Sequence, residues 1–352
     1  MNAEQFEALP RERQLQLLRN LGIKALVHWG FDGAGLELLK HRENTVMKVT
    51  TAAGERYAMR IHRIGYRSDA ELRSELQWLD SLRAVGIPTT EPRPARDGAL
   101  FVAVSTADLP EGRQVDLLEW VPGRAIGSVE EGVDFDGDTL VGVYRVAGEL
   151  AARIHNHGES WSTPPGFTRL HWDEQGFFGD SGSVCGCYRD LPDLSPAQLE
   201  LLDSARDATA TALAEFGKGA DRYGMVHGDF LPENLFYDGC QLRLIDWDDT
   251  GFGWHLYDFT TALVPHLGRD SFEAVLAALV EGYRLHRALP DEHLQIVPFL
   301  LMARALSYLG WVHSRRQTAG DMVPNVIAVS CELATQLVGL NVGPESPRSQ
   351  PK

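Results

Sequence analysis

Cationic side chains are scarce in this chain. Lys and Arg number 33 against 49 Asp and Glu, a formal net charge of −16. Nucleic acid and anionic membranes are gripped through surplus Lys and Arg, so neither is expected as a main partner. A cationic small molecule is compatible with the balance. Cysteine is sparse too, four in 352 residues. Cys185 and Cys187 form C-G-C without a second pair at zinc-site spacing, and Cys240 and Cys331 stand alone. Neither structural zinc nor a disulfide framework is read, and free thiols in a reducing compartment are expected. No run reaches the roughly 20 apolar residues of a membrane span. The start, Met1-Asn2-Ala3-Glu4-Gln5, has neither the basic nor the apolar region of a signal peptide, so a cytoplasmic location is expected. There is no Walker A sequence and no internal repeat. Gly30, Gly33 and Gly35 lie in G-F-D-G-A-G, the reverse of the dinucleotide spacing, with no helix after them to receive a phosphate.

What is present divides into a β-rich first part and a helical second part, an α+β pattern. Residues 4–21 read as a helix of good formers, with Leu15 and Leu18 on one stripe. Residues 44–51 and 56–63 read as a hairpin closed by Ala52-Ala53-Gly54-Glu55. Ser68-Asp69 caps a helix running to about Ala84, and Val85-Gly86-Ile87-Pro88 stops it. Residues 99–106 and 113–121 supply two more strands. Val121-Pro122-Gly123 breaks the pattern and marks a boundary. Helices are expected over 139–157, 197–216, 270–289, 291–315 and 325–340, with an irregular insert over 158–196. The domain reading is therefore a helical extension at 1–35, a sheet lobe at 36–121, a larger lobe at 122–341 and a disordered tail at 342–352.

The chemistry concentrates between Met225 and Phe259. M-V-H-G-D-F-L-P-E-N-L-F-Y-D-G is followed by L-R-L-I-D-W-D-D and W-H-L-Y-D-F. Asp229 precedes Asn234 by five residues, and Asp246 ends a short apolar strand further on. A carboxylate near an attacking hydroxyl and two oxygen ligands for Mg2+ are what phosphoryl transfer from a nucleotide requires. Protein kinases meet the need with H-R-D-x-x-x-x-N and D-F-G. Here Gly228 stands in the Arg place, where it lets the backbone turn without a Cβ, and Pro232 stiffens the loop.

The wording H-G-D-x-x-x-x-N with I-D-W resembles the aminoglycoside phosphotransferase and choline kinase branch of the kinase-like fold. In appearance it is nearest to type II homoserine kinases and stress-response kinase A proteins. The resemblance runs from about Leu36 to Leu263. It implies a two-lobed protein-kinase-like fold with a small β-rich N-lobe and a larger, mostly helical C-lobe. It implies ATP and Mg2+ as cofactors, Asp229 as catalytic base, Asn234 and Asp246 as metal ligands, and His227 as a buttress of the loop. Asp258, in L-Y-D-F, is placed to hydrogen-bond that loop or to cap its helix. Tyr57-Ala58-Met59-Arg60 aligns with the V-A-I-K strand. Ala58 would leave room for adenine and Arg60 would reach the phosphates, with Arg where the pattern has Lys. Lys48 is a possible substitute cation. Glu75 is the expected partner of that cation, with Glu71 the alternative. Residues 41–46, including Asn44, occupy the place of a glycine-rich loop, and backbone groups of Glu119 and Val121 would meet the adenine edge.

Asp248 and Asp249 extend the acidic run and, with Trp254, are candidate substrate contacts. Trp161, Trp172, Phe177, Phe178 and Trp311 are further aromatic candidates for an acceptor pocket. The expected function is phosphoryl transfer to a hydroxyl of a small molecule: an amino alcohol, hydroxy amino acid, sugar or aminoglycoside-like compound. A protein Ser/Thr kinase, a nucleotide-binding pseudokinase and a metal-dependent hydrolase remain alternatives. The hydrolase needs a second metal-spaced cluster, for which His155-Asn156-His157 is the sole candidate.

Overall fold

The computed structural model describes residues 3–41, 44–129, 131–179 and 183–341. Arg42 and Glu43 of the loop at 41–46, and the tail at 342–352, lie outside the described residues. Contacts divide the chain into two units, Met1–Arg124 with Ser162–Arg169 and Phe236–Ile245, and Ala125–Trp161 with Leu170–Leu235 and Asp246–Lys352.

The first unit is built on an antiparallel sheet. Its strands are β1 (Gly35–His41), β2 (Thr45–Thr50), β3 (Arg56–Ile61), β4 (Phe101–Val104) and β5 (Arg113–Glu119), in the order β1-β2-β3-β5-β4. Strand alternation decides what each face does. Tyr57, Met59 and Ile61 of β3 are buried in a core with Leu17, Leu18, Leu21 and Ala25. Those four residues lie on α2 (Arg11–Ala25), which follows the short α1 (Ala3–Glu7). The N-terminal helix is thus an integral part of the sheet unit's core rather than an appendage, and the buried stripe is Leu17, Leu18 and Leu21, with Leu15 only partly buried. β1 went unread in the sequence because its burial does not alternate; it is an edge strand with most side chains exposed. α3 (Asp69–Ala84) starts as expected. Ser68 accepts from the Glu71 amide while the Glu71 carboxylate accepts from the Ser68 amide, a capping box.

The second unit is mostly helical: α4 (Gly137–Ser160), α5 (Glu174–Phe178), α6 (Pro196–Phe216), α7 (Leu256–Leu263), α8 (Phe272–Arg284), α9 (Val297–Ser314), α10 (Arg316–Ala319) and α11 (Val323–Asn341). α4 lies against α8 with backbones in close approach. A Cβ on Gly148 would come within 2.1 Å of the Leu279 carbonyl oxygen. A small sheet runs Tyr223–Val226, Gly251–Trp254, Leu170–Trp172, the first pair antiparallel and the second parallel. Tyr223–Val226 ends directly before His227, and Gly251–Trp254 leads into α7, so the ladder sets the loop at 227–234 beside the start of α7.

One sequence expectation is corrected. Asp291–Ser314 and Gly320–Gly339 are each long and apolar enough to cross a membrane by length and composition. The first is mostly buried inside the second unit, where α9 packs against α6, α7 and α11, as a core helix does.

Candidate active site

The loop at 227–234 is held by its backbone. Gly228 has φ +84°, and a Cβ there would lie 2.7 Å from both the Asp249 carbonyl oxygen and the Trp172 ring nitrogen. No other residue type fits that turn without displacement. Phe230 N–H donates to Thr261 Oγ1 at 2.8 Å, and Pro232 opens a 3-10 turn over Pro232–Asn234. Asp258, on α7 and wholly buried, closes the loop from below. Its Oδ1 accepts from Gly228 N–H at 2.8 Å, and its Oδ2 from His227 N–H at 3.0 Å and His155 Nε2 at 3.0 Å. Burial pushes the Asp258 carboxyl up to about 6, against the pull of His227 and the two amides. Burial lowers His155 to about 3 and thus keeps it neutral, while its Nδ1 pairs with the Tyr283 hydroxyl at 2.9 Å. Of the roles weighed for Asp258, the geometry contains the hydrogen bonds to the loop. His227 is buried, its Nδ1 accepts from Asp229 N–H at 3.2 Å, and Trp247 stands edge-on to its ring.

Asp229 and Asn234 are brought together. Asn234 Nδ2 donates to Asp229 Oδ2 at 3.0 Å and to the Asp229 carbonyl at 2.9 Å. The amide nitrogen is committed to Asp229, so its oxygen is the atom turned to other partners. Asp246 has φ +64°, alone among the non-glycine described residues. Asp and Asn tolerate this left-handed region better than most side chains. One carboxylate and one amide oxygen suit a hard divalent cation that keeps waters and nucleotide phosphates as its other ligands. Among the described residues, no group of three or more His, Cys, Asp or Glu could hold a metal unaided.

Arg304 of α9 was not foreseen. Its Nη2 donates to Asp229 Oδ1 at 2.9 Å, and its Nη1 to the Tyr257 hydroxyl at 3.3 Å. Burial works against the charge, but Tyr257 and Asp229 more than restore it and raise the guanidinium well above its ordinary value. The sequence did carry a signal, because Arg304 is the lone Lys, Arg, Asp or Glu in the apolar run of α9.

Four acceptor-pocket candidates are core residues instead. Trp254 and Trp172 have no exposure, Phe177 has 1% and Phe178 has 6%. Trp254 donates to the Gly217 carbonyl and Phe177 stacks near it, so the substrate contact expected of Trp254 is withdrawn. Asp248 is buried, whereas Asp249 is partly exposed and its carbonyl accepts from Trp172 Nε1 at 2.7 Å.

In the first unit, Arg60 sits on β3 directly opposite Asp116 of β5. Its Nε and Nη2 donate to the two Asp116 oxygens at 2.9 and 2.8 Å, and its Nη1 to Glu75 at 2.7 Å. The expected Glu75 pairing is present, while Glu71 is occupied in the capping box. Asp116 is an additional partner, and it takes a two-point grip on the fork that was expected to reach phosphate. His62 Nε2 lies 2.7 Å from Asp116, and Arg169 approaches Glu75 at 3.8 Å. Burial pushes Asp116 up, but the Arg60 charge and His62 outweigh it and hold the carboxyl at about 2. An acid set among the apolar residues of the strand R-Q-V-D-L-L-E was the available signal. Lys48 pairs with Glu37 at 3.1 Å. Ala58 faces Lys48 and Leu118 across the sheet, and Asn44 is buried. Glu119 N–H is engaged by the Glu91 carbonyl at 2.8 Å, so of the adenine contacts expected there only its carbonyl is left to offer one. Val121 follows β5 and is partly exposed.

An antiparallel sheet unit with a buried Arg–Glu pair, and a helical unit with an H-G-D-x-x-x-x-N loop, define a kinase-like phosphotransferase. The model of the phosphotransferase enzyme family matches residues 35–293, and the chain belongs to that family. Amicoumacin kinase of Bacillus subtilis (strain 168) is 25% identical over 300 residues, covering 82% of this chain and 83% of that protein. Homoserine kinase of Gluconobacter oxydans (strain 621H) is 30% identical over 169 residues, 46% and 50% of the two chains. Among solved structures, a microcompartment-associated aminopropanol kinase aligns with TM-score 0.80 and 30% identity, covering 92% of this chain and 98% of its own.

Proposed function

We propose that this phosphotransferase moves the γ-phosphate of ATP, with Mg2+, to a hydroxyl of a small molecule. The observation that carries the reading is the Asn234–Asp229 link in a loop pinned by Asp258. Asp229 would accept a hydrogen bond from the acceptor hydroxyl and take its proton late in transfer. Asn234 and Asp246 would hold the metal, which when bound neutralises charge on the phosphates. Arg60, fixed by Asp116 and Glu75, would present the remaining guanidinium donors or its charge toward the nucleotide end. The relatives named for amicoumacin, homoserine and aminopropanol support a small hydroxyl compound as acceptor. ADP release coupled to acceptor phosphorylation, screened across hydroxylated metabolites, tests the reading. Asp229→Asn should retain ATP affinity and lose activity on the order of 10²–10⁴-fold. Product formation at the wild-type rate in that variant would remove Asp229 from the role.

A further inference from the structure

Arg169 is a buried cation that the proposed chemistry does not use. Its side chain has no exposure. It ends the segment 162–169, which belongs to the first unit although the chain on both sides of it belongs to the second. The segment lies within the stretch expected as an irregular insert, and it is tied to α3 by polar contacts. Thr168 N–H donates to Ser74 Oγ at 2.9 Å, Arg169 Nη1 donates to the Glu71 carbonyl at 3.0 Å, and the same nitrogen lies 3.8 Å from Glu75 Oε2. Ser74 is itself fixed, its hydroxyl donating to the Ala70 carbonyl at 2.7 Å.

Glu75 is the residue of α3 that pairs with Arg60, so the rotation of α3 about its axis decides whether that pair forms. The helix buries an apolar stripe of Leu72, Leu76, Leu79 and Leu82. Apolar burial is non-directional and holds a helix on a core without setting its rotation closely. Hydrogen bonds are directional. Those from Arg169 and Thr168 reach Glu71 and Ser74, neighbours on one helix face, and they bracket the turn that carries Glu75.

Charge gives a second, independent argument. Arg60 faces two carboxylates, Asp116 through two hydrogen bonds and Glu75 through one. Glu75 Oε1 takes the bond from Arg60, while Oε2 has no hydrogen-bond partner among the described residues and stands within ion-pair distance of Arg169. A buried guanidinium and a buried carboxylate are each costly unless an opposite charge answers them. His62 apart, Arg169 and Arg60 set two guanidinium groups against Glu75 and Asp116. Without Arg169, Arg60 would face both carboxylates alone, and its charge would be cancelled toward any further anion.

Resting on the phosphotransferase reading above, we propose that Arg169 is a positioning residue for nucleotide binding. Acting through Glu75, it holds α3 at the rotation that pairs Glu75 with Arg60. It also answers enough of the Glu75 charge for Arg60 to stay cationic toward the nucleotide phosphates.

Calorimetry with Mg-ATP and with adenosine tests this whatever the acceptor is. Arg169→Met keeps the reach of the side chain without its charge. It should weaken Mg-ATP about tenfold, within the range of coupling between neighbours in one ion-pair network, and change adenosine by less than about twofold. Arg169→Lys should recover most of the loss, because it returns the charge without the planar fork. Wild-type Mg-ATP affinity in Arg169→Met would overturn the proposal, as would a loss that adenosine shares equally or that Lys does not repair. If Arg169→Met does not fold, Ser74→Ala decides. It removes the acceptor of Thr168 N–H but keeps a good helix former, and it should weaken Mg-ATP about threefold with adenosine unchanged. Mg-ATP affinity equal to wild type in Ser74→Ala would refute the role of the segment. A wild-type protein that binds no Mg-ATP would overturn the phosphotransferase reading and this proposal with it, an outcome distinct from wild-type binding that Arg169→Met leaves untouched.

Discussion

Replacing Asp258 by Asn asks whether one buried carboxylate holds the catalytic loop. Three donors converge on it: Gly228 N–H on one oxygen, His227 N–H and His155 Nε2 on the other. Asn preserves the shape but offers a single acceptor oxygen. Whichever way the amide turns, its NH2 faces at least one of these donors. A buried donor left without an acceptor costs about 1–3 kcal/mol. The pH dependence sharpens the test. Burial raises Asp258 from the ordinary 3.8 to about 6. A carboxyl raised on folding binds its proton more tightly in the native state. Its stabilising contribution is therefore complete below the unfolded value and is lost as pH rises through the folded one. A shift of about two units corresponds to about 3 kcal/mol. Wild type should lose that amount between pH 4 and pH 7 through this group, and the variant should not. Asp258→Asn is accordingly more destabilising at pH 4 than at pH 7, by about 3 kcal/mol. Urea unfolding of both proteins at several pH values between these limits measures the difference. In parallel, kcat at pH 7 should fall on the order of 10²-fold, because displacing a positioned base by about 1 Å has that effect. A stability difference that stays flat across pH would falsify the raised carboxyl, and an unchanged kcat would separate Asp258 from the loop's function.

Asp246→Asn should weaken Mg-ATP binding more than Asn234→Ala, because it removes a full charge while Asn still accepts the left-handed backbone at this position; calorimetry giving wild-type affinity for Asp246→Asn would sink the ligand assignment. Asp116→Ala leaves Arg60 and His62 facing an empty place in the first unit. Breaking a buried ion pair costs about 3–5 kcal/mol, so a urea midpoint near that of wild type would show that the cluster is not closed as described.

The chemistry of the loop was legible because it is local. Asp229, Asn234 and the turn at Gly228 lie within seven residues, and the backbone requirement is written in residue types. The hairpin of β2 and β3 and the capped start of α3 were legible for the same reason: alternation, turn residues and a capping box are short-range signals. What escaped depends on pairing across the chain. Asp116 meets Arg60 because β3 and β5 are neighbours in one register, and register is set by packing rather than by either strand alone. Arg304 meets Asp229 across 75 residues. Trp254 was misread because an aromatic residue near a motif looks the same in sequence whether it faces a ligand or a core. Its neighbours Tyr223 and Phe177 decide the matter. β1 lacks the alternation that would announce a strand because it lies at the sheet edge.

In the second unit these long-range contacts join into one connected path. Tyr283 holds His155, His155 and two loop amides hold Asp258, the loop carries Asp229, and Asn234 and Arg304 each hold one oxygen of Asp229. A carboxylate has about four lone-pair positions. The Asn234 amide and the Arg304 guanidinium use two of them, on different oxygens, and this fixes the plane of the group. Positions remain for an incoming hydroxyl, but the carboxylate has little freedom to turn toward it. The acceptor must therefore be brought to the base, and its orientation must come from contacts outside the loop. Arg304 of α9, which already donates to Asp229, is one contact of that kind.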